Sequence, residues 1–287
     1  MISCHSHSGQ YCLHAHGTLD DTIKEAFRKG FVVYGLTEHM PRTRKQDLYP
    51  EESHLVPNDT STQFDKFYHH AKQIQMEAPN TTKILVGMEI EWIHDQTFAE
   101  LTSLQSKYSL DYLVGSIHHV DEVPIDFDLK TFESLEAQLG IELVYQRYFD
   151  AQYDMLVKVK PMVIGHFDLI RMWKPNTVIS SECWKLIERN IQEIVSYGGL
   201  VEINSRGLKK NLSTPYPLPD ILEIMIRKGV NFTLSDDAHG PNDVGMHYDK
   251  LYKYLSDHRI TTVFTPKLGG GIDKYSVQEL FKKYDCI

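Results

Sequence analysis

Two rhythms of apolar and polar positions recur along the chain. Short apolar runs of strand length, FVVYGL (31–36), KILVGMEIEW (83–92), DYLVGSIHH (111–119), PMVIGHFDLIR (161–171), LVEINSRGLKK (200–210) and VNFTLSDDAHG (230–240), follow an opening strand over the first residues. Between them, apolar residues return at helical spacing. Ile23, Ala26 and Phe27 form such a stripe, with Asp20 or Asp21 placed to cap it and Gly30 to end it. Residues 62–78 carry Phe64, Phe67, Ala71, Ile74 and Ala78 on one face, with His69 and His70 expected at the surface. Helices are also predicted over 97–107, 141–159, 181–197 (stripe Trp184, Ile187, Ile191, Ile194), 215–229 and about 243–257. A strand near 261–264 and a helix from Ser276 close the chain. Residues 41–61 read as a polar loop of the length used for lids. Residues 121–139 are acidic and irregular, with a short helix near Phe132 to Leu139.

Strand–helix alternation implies parallel strands joined by helical crossovers, about seven strands in all. Parallel strands gather their C-terminal ends on one side, where active sites sit. Six of these ends carry a His, a carboxylate or an Asn. An open doubly wound sheet would string such residues along a crevice, whereas a barrel brings them together. Convergence from the first to the last catalytic strand favours the barrel, as one domain over 1–287.

The opening stretch MISCHSHSGQYCLHAH sharpens this picture. His5 and His7 leave one face of a strand, and His14 and His16 follow after a turn. Imidazole is the commonest metal ligand. Glu89 and Glu91 share a face in an otherwise apolar run, and a buried carboxylate is costly unless paired or metal-bound. The strand-end candidates are His5, His7, His14 or His16, His39, Glu89, His118, His166, Asp237 and His239. They are too many for one ion, since a catalytic zinc uses about three protein ligands. Two or three clustered ions suit phosphate-ester cleavage. The mixed N and O ligands admit Zn, Fe or Mn.

Composition changes little else. The 287 residues are 41% hydrophobic and 24% charged, ordinary for a globular protein, and the 15 histidines are the outlier. The net charge of −9 argues against a nucleic-acid or membrane surface. No apolar run reaches membrane-spanning length, and no basic segment with an apolar run heads the chain. Cys4, Cys12, Cys183 and Cys286 show no CxxC spacing and read as free thiols of a cytoplasmic protein. Gly269-Gly270-Gly271 lacks phosphate-loop spacing and is expected in a loop.

Seven ordered motifs, HSHSGQYC, LTEHMP, GMEIEW, GSIHHV, GHFDLIR, EINSRGLKK and SDDAHG, resemble the PHP (polymerase and histidinol phosphatase) superfamily, within it the histidinol-phosphatase branch. The resemblance implies a distorted (β/α)7 barrel with a trinuclear metal centre that hydrolyses L-histidinol phosphate in histidine biosynthesis. It assigns His5, His7 and Asp237 to one ion, with Glu89 bridging to a second held by His118 and His166. A third falls to His14, His39 and His239. Where the family has one histidine, this chain offers LHAHGT. Distance to the following helix selects His14, while the local His-Gly-Thr string selects His16; the first guide is preferred.

Around this set, Glu91 and Asp168 would orient ligands or serve as polar strand ends. Glu38 would serve substrate or capping, and His119 should turn away from His118. Arg171 and Arg206 lie just beyond strand ends and can fork onto a phosphate, with His39 a further substrate contact. Asp237, Glu89 and His239 are the expected catalytic groups. Activated water would attack phosphorus in line, and Asp237 or a water at the metals would return a proton to the leaving alkoxide. The acidic stretch Asp121 to Asp128 would read the amino group of histidinol. A small-molecule phosphate ester is the expected substrate. The rival readings are another PHP-type phosphoesterase acting on a nucleotide or small monoester, and a metal-binding protein without catalysis.

Overall fold

The computed structural model describes residues 1–210 and 212–282. In chain order the strands are β1 Ile2–Ser3, β2 Val33–Leu36, β3 Lys83–Glu91, β4 Tyr112–Ser116, β5 His119–Val120, β6 Val123–Pro124, β7 Val163–Ile164, β8 Leu200–Asn204, β9 Asn231–Ser235, β10 Thr262–Pro266 and β11 Ile272–Ser276. The helices are α1 Leu19–Lys29, α2 Pro57–Glu77, α3 Thr97–Lys107, α4 Leu129–Leu139, α5 Ile141–Val159, α6 Ser181–Tyr197, α7 Pro219–Lys228, α8 Tyr248–Asp257 and α9 Val277–Leu280.

Seven strands pair in the order β1-β2-β3-β4-β7-β8-β9, every pair parallel. The sheet curls until its edges meet. Cys4 N–H donates to Leu234 O at 3.0 Å and His7 N–H to Ala238 O at 2.7 Å. The result is the expected (β/α) barrel, nearly closed, and its distortion is visible in β1 and β7, each only two residues long. Inside, Tyr112 Oη crosses to Cys4 O at 2.7 Å. A Cβ at Gly35 would lie 2.0 Å from that hydroxyl, so this strand position has room only for glycine.

The outer helices follow the sequence stripes. Ile23 and Ala26 of α1 are buried, as are Phe64, Phe67, Ala71 and Ile74 of α2 and Ile187, Ile191 and Ile194 of α6. Gly30, Gly198 and Gly229 close α1, α6 and α7 in the left-handed conformation. Several boundaries differ from expectation. Thr18, not Asp20 or Asp21, caps α1 by accepting from Asp21 N–H at 3.1 Å; both aspartates sit in the first turn. Pro57 starts α2 early, since proline fits the first turn of a helix. The run 111–119 splits into β4 and β5, because β5 turns back to pair with β6 instead of extending the barrel strand. The glycine run 269–271 is the turn of a β10–β11 hairpin, whose second strand the sequence did not announce. Cys286 and the end of the expected last helix lie outside the described residues.

Candidate active site

The strand ends converge on Glu89, in β3. Its Oε1 faces His5 Nε2 at 3.3 Å, His166 Nε2 at 3.3 Å and His118 Nε2 at 3.5 Å. Its Oε2 faces His39 Nδ1 at 2.9 Å and His7 Nε2 at 3.3 Å. Yet both oxygens are buried without accepting a hydrogen bond. Ring nitrogens also face one another: His5 and His7 at 3.1 Å, His14 and His39 at 3.2 Å, His118 and His166 at 3.2 Å, all through Nε2. Two ligand atoms about 2.0–2.1 Å from one ion at tetrahedral angles lie about 3.3 Å apart. Lone pairs crowded at that spacing around an orphaned carboxylate are the donor set a cation would satisfy. These residues therefore fit a metal centre.

Groups with the reach to hold one ion are His5, His7 and Asp237; Glu89, His118 and His166; Cys12, His14 and His39; His7, His39 and His239; and His39, Glu91 and His118. The first two coincide with sets the sequence assigned. The third assigned set, His14, His39 and His239, is spread over two groups that share His39. His14 and His239 rings lie 5.1 Å apart. His16 stays outside: its ring lies against Gly240, where a Cβ would meet Nε2 at 2.7 Å.

Two of the rings are held neutral, whereas burial would lower His5 and His39 but the Glu89 charge prevails and raises both, so a bound cation would displace their protons. Burial holds His118 down to about 4, against the opposing charge of Glu89. Burial and the Arg206 charge hold His239 well below its ordinary value, so both rings present lone pairs near neutral pH. Burial would raise Glu89, but the facing imidazoles, His5 foremost, keep its carboxyl well below the usual range.

Carboxylates stand behind the rings. Glu202 is one the sequence reading passed over: its Oε2 meets His5 Nδ1 at 3.1 Å, and its Oε1 accepts from His166 N–H at 2.6 Å and Asn204 Nδ2 at 2.7 Å. Its signal was a glutamate inside an apolar strand, two positions before Asn204. Glu38 sits behind His7, its Oε2 3.3 Å from Nδ1, while its Oε1 accepts from Ser8 N–H at 2.8 Å. Glu91 meets His39 Nδ1 at 3.0 Å and receives Arg42 Nη2 at 2.6 Å. Such contacts fix ring orientation and raise ligand basicity. Asp168 instead accepts from Leu218 N–H at 3.0 Å, a polar strand end.

Above the histidines opens a cavity of about 370 Å³, lined among others by His7, His14, His39, Glu89, His118, His166, Asp237 and His239. Arg206 and Lys210 line it as well, together with Tyr49, Glu51, Asp126 and Phe127. Arg206 Nη1 is tethered to Asp237 O at 3.0 Å and Asp243 Oδ2 at 3.3 Å. Arg171 does not reach the cavity. It is buried, its Nη1 on Asp220 Oδ1 at 2.6 Å and its Nη2 on Pro175 O at 2.8 Å. The turn after β7 folds back as a short helical turn over Leu169–Arg171, carrying the guanidinium toward α7. His119 is buried beside Tyr49 and does not line the cavity; it opens β5, so the break after β4 and not alternation along one strand sets it apart from His118. No helix among the described residues is long and apolar enough to cross a membrane.

The family model for the PHP domain matches residues 3–206. The chain is 44% identical over 269 residues to a Schizosaccharomyces pombe protein named probable histidinol-phosphatase, covering 91% of this chain and 88% of that one. It is 36% identical to the histidinol-phosphatase of Saccharomyces cerevisiae, over 90% of this chain and 88% of the relative. In fold it matches the histidinol phosphate phosphatase of Lactococcus lactis, solved with zinc, L-histidinol and phosphate, with a TM-score of 0.71 at 18% identity, covering 95% of this chain and 98% of that one. The chain belongs to the PHP domain family, in its histidinol-phosphatase branch.

Proposed function

We propose that this chain is a metal-dependent phosphatase hydrolysing L-histidinol phosphate to L-histidinol and inorganic phosphate in histidine biosynthesis. The observation that carries the substrate is the likeness to histidinol-phosphatases over some nine-tenths of the chain. The cavity agrees with it, since it holds a candidate metal centre, cationic side chains and a separate carboxylate.

Two to three divalent transition-metal ions, Zn, Fe or Mn, would be held by His5, His7 and Asp237, by Glu89 with His118 and His166, and by His14, His39 and His239. When bound, such ions acidify water near neutral pH and neutralise phosphoryl oxygens. The chain's own groups do the rest. Glu89 joins two ligand sets. Arg206, anchored through Nη1, offers its remaining N–H groups to a phosphoryl oxygen as charge-assisted donors. His39 and His239 line the same cavity as Arg206. Burial opposes ionisation of Asp237, but the charges of His5 and Arg206 prevail and hold its carboxyl low. Asp237 is therefore held as a carboxylate, the form in which it would bind a cation. Buried Tyr49 and the exposed Leu13 and Phe127 add apolar surface to the cavity wall.

The reaction unit is the whole chain as one domain. Asp237 and His239 follow β9, beyond the matched residues 3–206, and β9 pairs with β8 and meets β1. The substrate is a small phosphate ester and not nucleic acid, in keeping with the net charge of −9. The place of action is the cytoplasm, in keeping with the unpaired thiols Cys4, Cys12 and Cys183. The test is kcat/KM for phosphate release from L-histidinol phosphate against a nucleoside monophosphate. A strong preference for L-histidinol phosphate is expected, and a preference for the nucleotide would overturn the reading.

A further inference from the structure

The cavity has an anionic corner that the phosphate chemistry does not use. It is built by the segment after β4. The β5–β6 hairpin pairs His119 with Pro124 and Val120 with Val123, and the chain then passes through Ile125, Asp126 and Phe127. Ile125 is buried and held twice: its N–H donates to His118 O at 2.9 Å, and its carbonyl accepts from Trp173 Nε1 at 2.8 Å. Asp128 is fixed as the cap of α4, accepting from Thr131 N–H at 2.7 Å. Asp126 and Phe127 are thus clamped between two anchored residues, and both line the cavity.

The segment has four acids, and three of them are engaged. Asp121 pairs with Arg147, Glu122 with Arg44 and Gln46, and Asp128 with the α4 N-terminus. Asp126 differs: its Oδ1 is buried and has no hydrogen-bond partner. A buried carboxylate oxygen without a donor is costly, and a bound cationic donor would remove the cost. Its neighbours favour such a ligand. Phe127 and Tyr49 stack at 6.3 Å with an interplanar angle of 27°, giving an apolar wall beside the carboxylate. Arg206 and Lys210 enter the same cavity from the segment after β8. One cavity therefore presents cations from one strand end and, from another, a carboxylate with no charged partner; Glu51, whose Oε2 is likewise buried without a hydrogen bond, faces His14 Nδ1 through Oε1 at 3.4 Å.

We propose that Asp126 determines specificity by receiving the protonated amine of a phosphate monoester, while the ester's phosphate lies toward Arg206 and the histidines. The proposal rests on the histidinol-phosphate reading, because that substrate carries both charges. It assigns Asp126 to binding and leaves the bond-breaking step to the other groups.

The experiment compares wild type, Asp126→Asn and Asp126→Glu on L-histidinol phosphate, O-phosphoethanolamine and p-nitrophenyl phosphate, which carries no amine. Metal content and thermal midpoint are measured for each protein. Asp126→Asn should lower kcat/KM about tenfold or more for the two amine-bearing esters, mainly through KM. It should leave p-nitrophenyl phosphate within about twofold, with metal content unchanged. Asp126→Glu should recover part of the loss. An equal fall on all three esters, a loss of metal, or no change on the amine-bearing esters would overturn the proposal. If wild type fails on L-histidinol phosphate, the substrate reading falls by itself. Asp126 is then judged on phosphoethanolamine against p-nitrophenyl phosphate, where a selective loss upholds its role and an equal effect refutes it.

Discussion

At the scale of single residues, two choices that spacing left open acquire a geometry. His14 Nε2 lies 3.2 Å from His39 Nε2, while the His16 ring lies against Gly240. His14→Ala should therefore lose one metal equivalent and most of the rate, and His16→Ala should lose neither; elemental analysis with steady-state kinetics checks both, and the reverse order would make His16 the ligand. The two arginines also separate. Arg206→Ala should cost about 2–4 kcal/mol of transition-state stabilisation, the scale for removing one donor to developing charge. Arg171→Ala should keep kcat/KM, because its guanidinium is spent on Asp220 and the Pro175 carbonyl. Arg206→Lys should rescue only partly, since lysine keeps the charge but not the fork. Equal kinetic losses at both positions would contradict this division. The sequence could not make it, because two basic residues after two strand ends look alike until the turn that follows each is known.

At the scale of elements, strand ends were the most legible feature. An apolar run that terminates in His or a carboxylate is a local pattern, and β2, β3, β4, β7 and β9 each show it. Contacts made across the barrel were not legible. Glu202 supports His5 from a strand at the far end of the chain, and Thr18 displaces the aspartates as cap because only its backbone is extended there. The second strand of the β10–β11 hairpin was hidden because none of its residues is fully buried and it carries no continuous apolar run. The join between β7 and α7 gives a pH test. Burial pushes Asp168 up to about 6, while its Oδ2 still receives Leu218 N–H at the start of α7. A carboxyl raised on folding contributes its stability below the unfolded value near 3.8, and that contribution is lost as pH rises through about 6. Asp168→Asn stays neutral and should gain on wild type between pH 4 and pH 7, by up to about 3 kcal/mol. Urea unfolding at both pH values checks this; a difference independent of pH would mean that Asp168 ionises as freely in the folded chain as in the unfolded one.

At the scale of the molecule, closure of the barrel turns scattered motifs into one site. His5 and His239 are separated by nearly the whole chain, yet β1 and β9 meet through Cys4 and Leu234 and through His7 and Ala238. That closure brings the first and last ligand candidates around Glu89, whose two orphaned oxygens mark the centre. The most direct measurement is phosphate release from L-histidinol phosphate as metal is returned to chelator-stripped protein. The account predicts negligible rate without metal and recovery that levels off between two and three equivalents of a divalent transition metal. Full activity in the stripped protein, or recovery complete at one equivalent, would contradict it.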